Sequence, residues 1–237
     1  MLQLNDEKTE VIYVNSSCHT LPSTQIKIGN CTIQSTFSAR NLGVVFDAKL
    51  KMDKHVSSVV KTANYHLRNI SRLRKYLDDK SAEKVIHAFI SSRLDCCNAL
   101  LHGLPDTLLS RLQKVQNTAA RILTRTSYTD HISPVLSALH WLPVKQRISF
   151  KILVLTYRCL NGLAPCYLSE LLLPYEQSRS LRSSDKHLLK VPRMRLKTYG
   201  NRSFSYAAPS LWNALPVHIK LAENLGTFKK LLKTHLF

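Results

Sequence analysis

The residues of this chain that come closest to a chemical motif are two adjacent carboxylates in the string Tyr76-Leu77-Asp78-Asp79. Paired carboxylates can hold two magnesium ions, which clamp the attacking and leaving oxygens during phosphoryl transfer. That arrangement needs a tight turn between two apolar strands. Here the pair follows a basic helical stretch and precedes Ser81, a suitable helix N-cap, so the pattern predicts an exposed helix end.

The remaining residue patterns do not specify a catalytic centre. The ten histidines have no local context of a Ser-His-Asp or Cys-His arrangement, the six cysteines have no paired C-x-x-C spacing, and the six glycines form no phosphate loop. We therefore expect no enzyme activity, no cofactor and no bound metal. Free thiols without a signal peptide or a transmembrane segment favour an intracellular protein of the nucleus or cytoplasm that is not secreted.

The charge of the chain indicates polyanionic partners. Lys and Arg number 34 against 15 acidic residues, a formal net charge of +19. Residues 101–237 carry 20 basic and 6 acidic side chains, whereas residues 1–100 carry 14 and 9. A basic surface neutralises phosphates and releases counterions, which favours salt-sensitive binding of RNA or DNA without sequence preference. A solvated surface with a flexible loop explains the charge equally well.

The candidate nucleic-acid contacts are basic side chains on predicted helix faces and in residues 176–203, which are predicted to form a mobile loop or an extended hairpin. They are Arg68, Arg72, Arg74, Arg111, Lys114, Arg121, Arg179, Arg182, Arg193, Arg195, Lys197 and Arg202. Tyr199, Phe204 and Tyr206 could stack on unpaired bases, but packing in the core is favoured because the nearby Trp212 needs partners.

The elements that would position these side chains follow from the apolar spacing. Short β-prone runs in residues 1–47, with a turn at Gly29-Asn30, predict a small antiparallel sheet. Its second face has no covering elements in the sequence, as expected at the end of a truncated domain. From about residue 54 the spacing becomes helical, and the longer helices are predicted at 54–77, 81–94, 107–125, 144–160 and 223–236. The predicted fold is mainly α with a small N-terminal antiparallel β-sheet, an α+β class.

Several strings in the chain are distinctive when they are taken together. They are Leu-His-Trp-Leu-Pro-Val at 139–144, Ile-Ser-Ser-Arg-Leu-Asp-Cys-Cys-Asn-Ala-Leu-Leu-His-Gly-Leu-Pro at 90–105, Leu-Gln-Lys-Val-Gln-Asn-Thr-Ala-Ala-Arg at 112–121 and Ala-Pro-Ser-Leu-Trp-Asn at 208–213. The chain resembles the C-terminal part of reverse transcriptases from LINE-type (non-LTR) retrotransposons. The resemblance implies a palm remnant at 1–47, a thumb-like helical bundle at 48–128 and a basic post-thumb region at 129–237.

The resemblance also implies roles for residues near the N-terminus. Lys8 is similar to a lysine that approaches the incoming nucleotide, and Leu42, Gly43 and Val44 are similar to a hairpin that grips the primer end. Both would be vestiges, because the fingers, most of the palm and the metal-binding aspartates have no counterpart in this sequence. Magnesium is expected only for the complete parent enzyme.

The functional expectation is therefore a catalytically incomplete fragment of a retrotransposon-encoded RNA-directed DNA polymerase that retains only binding to the nucleic-acid backbone. Two alternatives stay open. The chain could be a non-functional fossil reading frame whose product folds poorly, or a helical structural or interaction protein that does not bind nucleic acid. A salt-dependent affinity for RNA or DNA separates the hypothesis of a nucleic-acid-binding fragment from these two alternatives.

Overall fold

The computed structural model describes residues 8–14, 25–28, 31–175 and 187–237. The chain divides into an N-terminal unit, residues 1–62, and a C-terminal unit, residues 63–237. Helix α1, Asp53–Leu73, runs across this boundary. The predicted turn at Gly29-Asn30 lies outside the described residues. The three-part division at residues 47 and 128 stays a prediction.

Short strands make up the first part of the N-terminal unit. They are β1 Val11–Ile12, β2 Gln25–Ile28, β3 Cys31–Thr36, β4 Ser38–Asn41 and β5 Val44–Asp47. β3 pairs with β2 in antiparallel register and with β1 in parallel register, while β4 and β5 form a separate antiparallel pair. The pairing is antiparallel, as expected, between β2 and β3 and between β4 and β5, and it is parallel between β1 and β3. Apolar alternation does not encode strand direction, and the long connection between β1 and β3 permits either direction.

The end of β5 is tied to the start of α1 by side-chain acceptors. The carboxylate of Asp47 accepts the backbone N–H groups of Lys51 at 2.9 Å and Met52 at 2.7 Å. The Nδ1 atom of His55 accepts the Val45 N–H at 3.4 Å. The Asp47 bonds satisfy two backbone donors that directly precede α1, and the His55 bond joins the first turn of α1 to β5.

The C-terminal unit is helical. After α1 come a 3₁₀ turn at Arg74–Tyr76, α2 Asp79–Ile86, a π-helical turn at His87–Ser91, α3 Ser92–Asp95, a 3₁₀ turn at Asn98–Leu101, α4 Asp106–Thr124, α5 Ile132–Ala138, α6 Val144–Leu160, α7 Cys166–Ser169, α8 Lys197–Gly200, α9 Phe204–Asn213, α10 Val217–Lys220 and α11 Leu225–Leu236. The predicted fold class, mainly helical with a small β component, is confirmed.

The start of α2 differs from the prediction. The helix begins at Asp79 with Asp78 as its N-cap, so Ser81 is not the N-cap but lies inside the first turn. The hydroxyl of Ser81 lowers the pKa of the Asp78 carboxyl below its ordinary value. Aspartate is as good an N-cap as serine, and the apolar spacing alone could not choose between the two residues.

The core of the C-terminal unit includes a cluster formed by α6, α9, α10 and α11. Tyr157 stacks on Phe228 with 4.3 Å between the ring centroids, and its hydroxyl donates to the carbonyl of Ala222 at 2.8 Å. Trp212 also packs against Phe228 and donates its indole N–H to the carbonyl of His187 at 3.0 Å. Trp212 of the 208–213 string therefore has a packing role.

Of the loop predicted at 176–203, residues 176–186 lie outside the described residues. Its flanks meet in an antiparallel bridge between Pro174 and Leu189, and Leu189 is buried in the core cluster. Residues 197–200 form the short helix α8, and Gly200 lies against the side chain of Met194 so closely that a Cβ there would be 2.7 Å from it. Such a close approach favours glycine at this position.

In the described parts of the chain, no helix is both long enough and apolar enough to cross a bilayer.

Candidate nucleic-acid interface

The residues that resemble nucleotide and primer contacts lie in the N-terminal unit. Lys8 is exposed three residues before β1, and Leu42 and Gly43 form the turn between β4 and β5. Leu42 is 87% exposed whereas Val44 is 2% exposed. The two segments are linked where the Glu10 carboxylate accepts the Arg40 N–H at 3.2 Å. This bond joins the segment that carries Lys8 to strand β4, two residues before Leu42.

Arg74 does not face solvent as the helical pattern predicted. Its side chain is only 8% exposed, and its guanidinium donates to the carbonyls of Ile122 at 3.1 Å and Leu123 at 2.9 Å. It also donates to the Leu77 carbonyl at 2.7 Å and pairs with Asp79. The prediction of Arg74 as a phosphate contact is corrected, because its donors complete the last turn of α4.

Arg121 orders the loop that follows α4. Its guanidinium donates to the carbonyls of Ser127 at 3.2 Å, Tyr128 at 3.3 Å and Asp130 at 2.9 Å. The ring of Tyr128 lies 5.4 Å from the guanidinium carbon, a cation–π contact. The side chain is half-buried rather than fully available to solvent. We conclude that most of the bonding capacity of Arg121 is used within the protein.

Arg202 packs against the turn that precedes α4. A Cβ on Gly103 would lie 2.7 Å from the Cγ of Arg202, so the arginine stem covers this glycine. Burial, and then the nearby charge of Arg202, lowers the pKa of His102 below its ordinary value. This contact places Arg202, two residues before α9, beside the turn that precedes α4.

The remaining candidates differ in exposure. Arg111 is half-buried. Arg179 and Arg182 lie outside the described residues. The exposed candidates are Arg68 and Arg72 on α1, Lys114 on α4, and Arg193, Arg195 and Lys197 in or just before α8. The aromatic residues near this segment, Tyr199, Phe204 and Tyr206, are half-buried.

The paired carboxylates at 78 and 79 do not fit a two-magnesium site. Asp79 pairs with the guanidinium of Arg74, and Asp78 is the N-cap of α2. Both are at a helix start, as the sequence predicted, rather than in a turn between two strands. In the described parts of the chain, no group of three or more His, Cys, Asp or Glu side chains could hold a metal ion.

Sequence reasoning missed a cavity of about 380 Å³ in the C-terminal unit. Its lining includes Asn98, Trp141, Lys151 and Lys233, from four separate segments. Arg147, at its edge, donates through Nε to the Asp95 carboxylate at 2.8 Å and makes a second contact with the same group. The segments are far apart in the chain, so spacing alone carried no signal that these residues meet.

Comparisons with known proteins found no matching family model, no matching curated protein and no matching solved structure.

Proposed function

We propose that this chain is a non-catalytic part of a retrotransposon-encoded RNA-directed DNA polymerase that binds the backbone of RNA or DNA without sequence preference. The family part of the proposal rests on the resemblance of the strings at 90–105, 112–121, 139–144 and 208–213. An intracellular location in the nucleus or cytoplasm belongs to the same proposal. The four described cysteines of the C-terminal unit are free thiols, a state that a reducing compartment maintains.

One observation carries the binding proposal: basic side chains in two regions stay exposed while other arginines are engaged in structure. Arg193, Arg195 and Lys197 are exposed and follow one another closely in the chain. Arg68 and Arg72 lie one turn apart on α1. Exposed cations at this spacing can neutralise successive phosphates of a nucleic-acid strand. Base-reading contacts are not needed for such binding.

The proposal is tested by titrating the full chain with a fluorescent RNA hairpin and a random DNA duplex across about 50 to 200 mM salt. We expect similar affinities for both probes and a steep linear fall of log K with log salt. Replacing Arg193, Arg195 and Lys197 with Gln should reduce the slope by about 3, because each neutralised phosphate contributes roughly 0.9. Binding that persists unchanged at high salt would contradict the proposal.

A matched control removes the same charge from other exposed positions. Lys80, Lys84 and Lys229 are exposed and lie outside the proposed contacts. Their combined replacement with Gln should leave the slope within about 1 of the parent value, because long-range charge effects are screened over roughly 10 Å at 0.1 M salt. If both triple variants reduce the salt slope equally, the total charge of the protein determines binding and the proposed contacts do not.

A second candidate function is a helical interaction protein that does not bind nucleic acid. The observation that favours it is the structural use of Arg74, Arg121 and Arg202, since these three side chains bond or pack within the protein. Part of the excess of basic residues then has a structural role, because these arginines stabilise the folded protein. A helical circular dichroism spectrum without binding to either probe at low salt would favour this second function.

A further inference from the structure

Two neighbouring cysteines lie in the connection between α3 and the 3₁₀ turn that follows it. Cys96 comes directly after α3, and Cys97 comes directly before the 3₁₀ turn at Asn98–Leu101. Both residues are exposed, and both are free thiols. Because one peptide bond joins them, their Cα atoms are about 3.8 Å apart. A reagent in solvent can therefore reach two thiols at one place.

The backbone of Cys97 has an uncommon conformation. Its φ of 51° and ψ of 25° are left-handed, a region that residues other than glycine rarely adopt. Such residues keep this conformation where the surrounding structure holds it, and they cluster at functional sites. The conformation of this turn is thus a reason to ask what the thiol pair does.

Hydrogen bonds hold the backbone on both sides of the pair. The Cys96 N–H donates to the carbonyl of Ser92 at 3.0 Å, and the Cys97 carbonyl accepts the N–H of Leu100 at 3.0 Å. The next residue, Asn98, is 4% exposed. The turn is therefore anchored at both ends while the two cysteines between the anchors stay exposed.

The two thiols are not equivalent as nucleophiles. Burial, and then the charge and the hydrogen bonding of the Cys96 side chain, raises the pKa of the Cys97 thiol, while the ammonium of Lys151 lowers it. The thiolate is the nucleophilic form, so Cys96 is the better first nucleophile. Oxidation of Cys96 to a neutral sulfenic acid removes its negative charge, and Lys151 then favours the thiolate of Cys97.

We propose that Cys96 and Cys97 form a reversible oxidation site, at which hydrogen peroxide converts the two thiols to a disulfide between neighbouring residues. The Cys96 thiolate attacks one peroxide oxygen, the O–O bond breaks, and the released hydroxide takes up a proton to become water. The Cys97 thiolate then attacks the sulfur of the sulfenic acid, the S–S bond forms, and the S–O bond breaks to release a second water. The thiols lose two electrons and two protons, which the peroxide gains.

The disulfide should be easily reduced. Ordinary disulfides join residues whose Cα atoms are roughly 4.4 to 6.8 Å apart, whereas consecutive Cα atoms are about 3.8 Å apart. Such a deviation strains the bond, and strained or exposed disulfides are the labile ones. A dithiol reductant returns two electrons and two protons to the cysteines and becomes a disulfide itself. The pair therefore stays reduced in a reducing compartment and responds when peroxide rises.

Mass spectrometry of the full chain tests the proposal. The protein is treated with hydrogen peroxide, alkylated with N-ethylmaleimide under denaturing conditions and digested with trypsin. Cleavage after Arg93 and Arg111 releases residues 94–111, in which Cys96 and Cys97 are the only cysteines. We expect this peptide to escape alkylation and to be two hydrogens lighter than the reduced peptide. Dithiothreitol added before alkylation should restore the doubly alkylated form.

The same digest contains a matched control. Cleavage after Arg158 and Arg179 releases residues 159–179, which also carry two cysteines, Cys159 and Cys166. Cys159 is buried and Cys166 is exposed. This peptide should remain doubly alkylated after the same treatment, because the two thiols are not neighbours and solvent reaches only one of them.

Single variants test the order of the two steps. Cys97→Ser should stop at the sulfenic acid of Cys96, which dimedone traps. Cys96→Ser should give at least about threefold less trapped product, because burial still raises the pKa of the remaining Cys97 thiol. Cys166→Ser removes an exposed thiol elsewhere and should leave the yield of the disulfide unchanged. Equal trapping in the first two variants would overturn the assignment of Cys96 as the first nucleophile.

Three outcomes in the parent chain would overturn the proposal. They are double alkylation of residues 94–111 after peroxide, sulfinic or sulfonic acid on either cysteine without an internal disulfide, and a disulfide that joins this peptide to another one. These outcomes need no variant, so the test stands even if a substituted chain fails to fold by circular dichroism. The result is also independent of whether the chain binds nucleic acid.

Discussion

The Nε of Arg74 lies 3.1 Å from the carbonyl oxygen of Ile122, and this bond joins the end of one helix to the end of another. Arg74 follows α1 directly, while Ile122 and Leu123 belong to the last turn of α4. The last four carbonyls of a helix have no partner within it, and a cation there is also favoured by the helix dipole. Arg74, which the sequence pattern predicted to face solvent, therefore donates to the last carbonyls of α4.

Replacing Arg74 with Ala should destabilise the protein by about 3 kcal/mol, because buried carbonyls of α4 lose their donors. Chemical denaturation followed by circular dichroism measures this loss. Arg74→Lys should recover only part of the stability, since an ammonium cannot reproduce the fork of the guanidinium. The control Arg72→Ala is an exposed change two residues earlier and should cost less than about 0.5 kcal/mol.

The pairing of Arg74 with Asp79 should contribute little by comparison. Asp79 is 85% exposed, and exposed ion pairs are worth roughly 0 to 1 kcal/mol. Asp79→Ala should therefore lower the free energy of unfolding by well under half the loss seen for Arg74→Ala. Equal losses in the two variants would show that the ion pair, and not the carbonyl contacts, is the main contribution.

Two of the distinctive strings contact each other through glutamines of α4. Gln113 Oε1 accepts the N–H of Val144 at 2.8 Å, at the start of α6, and Gln116 Nε2 donates to the carbonyl of Leu142 at 2.9 Å. Gln113 also donates to Gln116 Oε1 at 3.1 Å, so the two side chains form a short chain of bonds. The polar residues at this spacing have a structural role, because they hold the turn before α6 against α4.

Gln116→Leu keeps the shape of the side chain but removes its bonds. Gln116 is 1% exposed, so the carbonyl of Leu142 would lose a buried donor. We expect a loss of about 2 kcal/mol in the free energy of unfolding by urea titration. Lys114→Gln, an exposed change on the same helix, should alter it by less than about 0.5 kcal/mol. If Gln116→Leu leaves the free energy of unfolding unchanged, another group donates a hydrogen bond to the Leu142 carbonyl.

Local signals predicted the helices well. The bounds of α6 were predicted at 144–160 and are observed there, because Pro143 precedes the first turn and Gly162, with φ of 66°, follows the last. The parallel pairing of β1 with β3, the inward position of Arg74 and the cavity at Asn98 depend on contacts between distant segments. Apolar periodicity records which face is buried but not what lies against it.

Two histidines predict a pH dependence of stability. Burial, and then the charge of Arg40, lowers the pKa of His55, while burial and Arg202 lower that of His102. Below the unfolded value of 6.5 the unfolded chain takes up protons that the folded protein resists. These histidines therefore contribute full stability above pH 6.5, and the contribution is lost as the pH falls toward their folded pKa values.

Denaturation midpoints measured at intervals between pH 8 and pH 5, about the range in which histidine titrates, test this dependence. The double variant His55→Asn and His102→Gln should show a flatter profile below pH 6.5. Asn at position 55 retains an acceptor for the Val45 N–H, so the fold should persist. A variant profile as steep as that of the parent chain would assign the acid sensitivity to other groups.

Arg195 and Arg121 should respond differently to substitution although both were candidates for phosphate contact. Arg195 is exposed, so Arg195→Ala should reduce the salt slope of nucleic-acid binding by about 1 and leave stability within about 0.5 kcal/mol. Arg121 bonds three loop carbonyls, so Arg121→Ala should cost about 1 kcal/mol of stability and change the slope by clearly less than 1. Fluorescence binding isotherms and urea denaturation of both variants measure the two quantities. The reverse pattern would mean that the guanidinium of Arg121 leaves its loop carbonyls to contact phosphate.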